Sequence, residues 1–94
     1  MPVALLQIEL HLPYSHSLKD KRMALRSVKD RLRKRFNVSV SELDHQDLWQ
    51  RAQIGVASIG PDAGYLEDQL NLALEEVERI LPDCTVNGSV QFLL

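Results

Sequence analysis

The sequence predicts an α+β domain: a four-stranded antiparallel sheet carrying two helices on one face. Three observations carry that prediction. Apolar residues alternate with period two in four short stretches and recur with period 3.6 in two longer ones. The six stretches follow the order β-α-β-β-α-β. Two right-handed crossovers fold that order most simply into one sheet.

The first strand runs from Val3 to Leu12, with Ala4, Leu6, Ile8, Leu10 and Leu12 on one side and Gln7, Glu9 and His11 on the other. Pro13 stops it. Ser17 is a good N-cap with Asp20 three residues on, so a helix starts at Leu18. Leu18, Leu25, Val28, Leu32 and Phe36 then share an arc of about 80°. Asn37 is placed to close this helix in a left-handed turn. Val38 to Leu43 alternates again and is β-branched, which predicts a second strand, and Ala52 to Ile59 predicts a third. Gly60-Pro61-Asp62 turns the chain into a second helix with an apolar stripe from Leu66 to Leu81, ended by Pro82. Thr85 to Leu94 is the last strand. Together these predict a single ferredoxin-like domain over residues 1–94.

Composition narrows the function classes. No apolar run approaches the ~18 residues that span a bilayer, and the N-terminus lacks the cations of a signal peptide. One cysteine, Cys84, excludes an internal disulfide and a thiolate-rich zinc site. The expectation is a cytoplasmic protein without a cofactor. At the start of a strand, Cys84 is expected to be buried and inert.

The net charge of −2 hides a strong asymmetry. Nine of the eleven Lys and Arg residues lie between Lys19 and Arg35, against two acids, leaving +7 there and −9 elsewhere. Lys19, Arg22, Arg26, Lys29 and Arg33, spaced 3, 4, 3 and 4, fall in a second arc beside the apolar one. Like charges at those spacings repel by about 0.2–0.5 kcal/mol per pair. Lys19, Lys21 and Arg22 also oppose the dipole at the helix N-terminus, where anions are favoured. A bound phosphate backbone relieves both penalties. The competing reading is neutralisation by the acidic second helix, with Glu67, Asp68, Glu75, Glu76 and Glu78, most of which lie on its outer arc. Arg31, Arg33, Lys34 and Arg35 are also accounted for by the dipole at the helix C-terminus alone.

In a ferredoxin-like sheet the end of the first strand, the start of the first helix and the connection between the second and third strands share one edge. His16, His45 and Arg51 therefore join Lys19, Lys21, Arg22, Arg26, Lys29 and Arg33 as expected nucleic-acid contacts. The strings "HSLKDKR" (16–22), "RLRKRFNVSVSE" (31–42) and "DHQDLWQRA" (44–52) resemble the YlxP-like family of small bacterial proteins of unknown function. The resemblance runs from end to end of the chain. It implies the ferredoxin-like fold, a cytoplasmic bacterial protein and, because members are often encoded among translation and ribosome-maturation factors, a connection with RNA or the ribosome. It supplies no catalytic residues.

Other chemistry is weaker. A metal- or phosphate-dependent enzyme would have to use His16, Asp44, His45 and Asp47, but the three histidines show no helical ligand spacing and no nucleophile joins the carboxylates. Asp44 and Asp47 are better read as caps of their turn. Trp49 reads as an apolar plug for the open end of the core. An RNA-stacking sheet face is disfavoured because Gln7, Glu9, Gln53, Gly55 and Ala57 carry no aromatic ring. Val3, Leu5, Ile59 and Leu93 all point outward and are expected to meet at one end of the open sheet face, as a partner or homodimer contact.

Overall fold

The computed structural model describes residues 2–94. Its elements are β1 (Val3–His11), α1 (Leu18–Arg35), β2 (Ser39–Asp44), β3 (Arg51–Ile59), α2 (Ala63–Ile80) and β4 (Thr85–Phe92). The sheet order is β2-β3-β1-β4 and every pairing is antiparallel. Both helices lie on one face, so this is the ferredoxin-like arrangement that the alternation and order of elements predict.

The alternating side chains set which face is buried. Ala4, Leu6, Ile8 and Leu10 of β1 and Ala52, Ile54 and Val56 of β3 pack against Leu25, Val28 and Leu32 of α1 and Leu66, Leu70, Ala73 and Val77 of α2. Each buried Val, Leu or Ile among them contributes about 1.5–3 kcal/mol through burial, the alanines less. A polar chain crosses this core: Gln69 Nε2 donates to Ser58 Oγ, which in turn donates to the Asn37 carbonyl, both at 2.9 Å. It ties α2, β3 and the exit of α1 together.

The helix caps differ in detail from the sequence expectation. The Asp20 amide donates to Ser17 Oγ at 3.0 Å, but the Asp20 carboxylate receives the His16 amide rather than that of Ser17. The α1 C-cap is Phe36, whose backbone is extended with φ −127°, and its N–H bonds to the Leu32 carbonyl. Asn37 therefore does not close the helix in a left-handed turn; among the described non-glycine residues only His45 has positive φ, at 66°. At α2, Asp62 caps the Tyr65 amide.

β2 ends in a register shift between Glu42 and Asp44. The extra residue turns Leu43 over Gly55 on the open face, where a Cβ would lie 2.7 Å from Leu43 Cδ1. Gly55 is thus buried on a face that is otherwise open, and the close approach is possible only without a side chain.

Candidate nucleic-acid interface

α1 lies beside β2 at the edge of the sheet, and its charged residues divide into three groups. The first is one buried cation. Lys21 falls in the same arc as Leu25, Val28 and Leu32, and it is 1% exposed. Its Nζ donates to the carbonyls of His45 (2.8 Å), Gln46 (3.3 Å) and Arg51 (3.3 Å), and lies 2.9 Å from Glu42 Oε2. A buried ammonium survives only with its protons accepted and its charge balanced, and here both conditions hold. Lys21 therefore cannot reach an external phosphate. This corrects its place among the expected contacts: it is the strut that fixes the β2–β3 connection to α1.

The second group faces α2. Glu76, 2% exposed, lies at the seam between the helices and pairs with Arg31 (3.5 Å), Arg35 and Arg79. Burial alone would raise its carboxyl, but Arg79 and Arg35 outweigh that and hold it below the ordinary carboxylate range. Arg31 and Arg35 thus do more than offset the helix dipole; they neutralise a buried acid on the neighbouring helix.

The third group is free. Among the described residues Lys19, Arg22, Arg26 and Lys29 form no ion pair, although α2 carries five acids. Arg22, Arg26, Lys29 and Arg33 line a groove of about 280 Å³ between α1 and β2, with Leu25, Asp30 and Glu42 also in its wall. Arg33 Nη2 donates to the Val40 carbonyl at 3.1 Å, which blunts the exposed edge of β2. The end of the helix differs from expectation. There Ser17 Oγ accepts the Asp20 amide, and the Asp20 carboxylate, held by the His16 amide, places a negative charge at the helix N-terminus, so the cationic surface runs along the helix flank.

At the rim, His45 Nε2 lies 3.5 Å from Glu9 Oε2 and 3.4 Å from Arg51 Nη2. Arg51 and Gln53 converge on the same Glu9 carboxylate. Asp44 Oδ1 accepts the amide of the next residue, His45, at 2.7 Å, whereas Asp47 makes no such bond among the described residues. His16 is exposed at the entrance to α1, its backbone N–H given to Asp20. The residues of the enzyme alternative are thus distributed among separate local contacts, and no group of three His, Cys, Asp or Glu side chains among the described residues is arranged to hold a metal. Cys84 is half-buried, and burial together with the neighbouring Asp83 charge raises its thiol.

Trp49 is 54% exposed and does not plug the core. Leu12, 3% exposed, and Lys21, 1% exposed, are buried instead. Trp49 and Leu48 line a shallow hollow on the loop between β2 and β3. Of the four apolar residues expected on the open face, Val3 is directly opposite Ile59 in register, Leu5 follows two residues along on the same face, and the Leu93 backbone amide bonds to the Val3 carbonyl at 2.7 Å. No helix among the described residues is long and apolar enough to cross a membrane.

The profile of the family described as "Protein of unknown function (DUF503)" matches residues 3–86. A relative from Bacillus subtilis (strain 168), "Uncharacterized protein YlxP", is 37% identical over 62 residues, which are 66% of this chain and 67% of that protein. Among solved structures, a de novo designed protein with the ferredoxin fold superposes with a TM-score of 0.67 at 12% identity, covering 97% of this chain and 86% of that one. A C-terminal segment of the alpha subunit of aIF2 from Pyrococcus abyssi gives 0.61 at 20% identity, over 95% of this chain and 49% of the other. A dimeric ferredoxin-like protein from an uncultured marine organism gives 0.57 at 8% identity, over 100% and 97%. At these identities the structural likenesses are ones of fold.

Proposed function

This chain belongs to the DUF503 family of proteins of unknown function, and from that premise we propose a binding protein that holds RNA, free or within a ribosomal particle, by its phosphates. The contacts are Lys19, Arg22, Arg26, Lys29 and Arg33, with His16, His45 and Arg51 at the rim. One observation carries the reading: the five cations of the stripe, Lys19, Arg22, Arg26, Lys29 and Arg33, form no ion pair among the described residues, while Glu76 of the acidic helix is spent on other arginines. Neutralisation within the fold is the rival explanation, and it accounts for Lys21, Arg31 and Arg35 but not for the stripe.

The length of the stripe favours a polyanion. From residue 19 to 33 the helix rises about 21 Å, enough for several successive phosphates and more than one small anion spans. The acidity of the rest of the molecule disfavours indiscriminate coating of duplex DNA. Binding of a labelled single-stranded RNA across a salt series tests the reading. Five contacts give a log–log slope near −3.5, at about 0.7 per single-strand phosphate. Absent or salt-independent binding refutes it.

A second reading rests on a separate surface. The Val3–Ile59 pairing, with Leu5 and Leu93 beside it, supports self-association through the open sheet face.

A further inference from the structure

We propose that the hollow beside Trp49 receives an unpaired base of the RNA whose phosphates follow α1. This inference rests on the RNA reading of that helix. The hollow has a volume of about 410 Å³ and is formed by His11, Asp47, Leu48, Trp49, Gln50 and Arg51. Its two apolar side chains are held outward, Trp49 at 54% and Leu48 at 44% exposure.

The loop that holds them is fixed from beneath. Lys21 Nζ gathers the carbonyls of His45, Gln46 and Arg51. The Gln50 side chain donates to the carbonyls of Pro13 and Ser15, each at 3.3 Å, and the Gln50 carbonyl accepts the Leu12 amide at 2.8 Å. The Leu48 amide closes the turn on the His45 carbonyl, around the left-handed backbone of His45. The ring of the single tryptophan is therefore presented by a braced loop. A flat aromatic face at a braced rim is the platform on which unpaired bases stack.

The polar groups around the ring fit a base better than a phosphate. Asp47 repels a phosphate but accepts the ring N–H and exocyclic amino protons of a base, while Arg51 supplies a cation beside it for the adjoining backbone. The position is continuous with the stripe. Lys21 ties the loop to the first turn of α1, adjacent in sequence to Arg22 and two residues from Lys19. On this proposal, a strand leaving the N-terminal end of the stripe passes over that tie to the hollow. Trp and Arg also mark protein interfaces, so a protein occupant is the rival that the experiment must distinguish.

The test uses the full chain and three RNA oligomers of equal length: a single strand, its duplex, and an abasic ribose-phosphate strand. Trp49 is the only tryptophan, so its fluorescence reports directly on the hollow. The single strand should quench it and the abasic strand should not. Trp49→Ala should weaken single-strand binding by between about 5- and 150-fold, the value of one stacked base, with an unchanged melting temperature, and Trp49→Phe should restore most of the loss. Equal binding of all three oligomers, without quenching and without an effect of Trp49→Ala, overturns the base site and leaves the phosphate stripe standing. No binding of any oligomer at low salt overturns both. If Trp49→Ala abolishes co-sedimentation with ribosomal particles while binding to naked RNA persists unchanged, the occupant is a protein and the base site is overturned.

Discussion

Lys21 Nζ lies 2.9 Å from Glu42 Oε2, an ion pair that joins the first turn of α1 to the edge strand β2 with the lysine side chain 1% exposed. The same ammonium takes three carbonyls of the β2–β3 connection. A residue on the most basic helix of the chain thus serves the interior, and the loop bearing Trp49 depends on it.

Replacing Lys21 by Met keeps the stem volume and removes the charge. Glu42 and three carbonyls then lose their partner, at a cost of about 3 kcal/mol for breaking a buried pair. Denaturant unfolding should show that loss, and amides in residues 45–51 should exchange faster. A variant as stable as the parent would mean that water replaces the ammonium without penalty.

The exposed stripe should behave in the opposite way. Arg22→Gln with Arg26→Gln removes two unpaired cations and relieves repulsion within α1, so stability should hold or rise by a few tenths of a kcal/mol for each relieved pair. RNA affinity should fall, and the salt slope should flatten by up to about 1.4. A double variant with a lower melting temperature and unaltered affinity would show that these charges serve the fold alone.

Acid should act through Glu76. Its carboxyl is held below the ordinary value of 4.5 in the folded state. Its contribution is therefore complete above that value and is lost as the pH falls through the lowered one. The melting temperature of the parent should drop more steeply on acidification than that of Glu76→Gln, which has no proton to take up. Parallel pH profiles for the two proteins would assign the acid sensitivity elsewhere.

The open sheet face has its own readout. If Ile59 and Val3 form a contact between copies, sedimentation should show a dimer that Ile59→Lys converts to a monomer, with RNA binding by α1 retained. A parent chain that remains monomeric at high concentration removes the self-association reading.

The architecture was legible in the sequence because period-two and period-3.6 patterns are local properties of the chain. Burial followed from them: the alternating positions of β1 and the stripe of α2 occupy the core as the pattern requires. The pairing of Val3 with Ile59 was legible for the same reason, since strand parity and register place their side chains on one face. Even the place of Lys21 was written in the spacing 18, 21, 25, 28 and 32, although its charge pointed toward solvent.

What the residues of α1 pair with could not be read in this way. Glu76 and Arg31 are 45 residues apart, and Lys21 reaches carbonyls 24 to 30 residues away. Whether a cation is neutralised depends on which atoms the packed helices and loops bring within a few ångströms. Helical phase alone does not contain that information. The same holds for Trp49: its apolar ring suggested the core, but its exposure is set by how the β2–β3 connection packs, and it stands 54% exposed while Leu12 and Lys21 are buried.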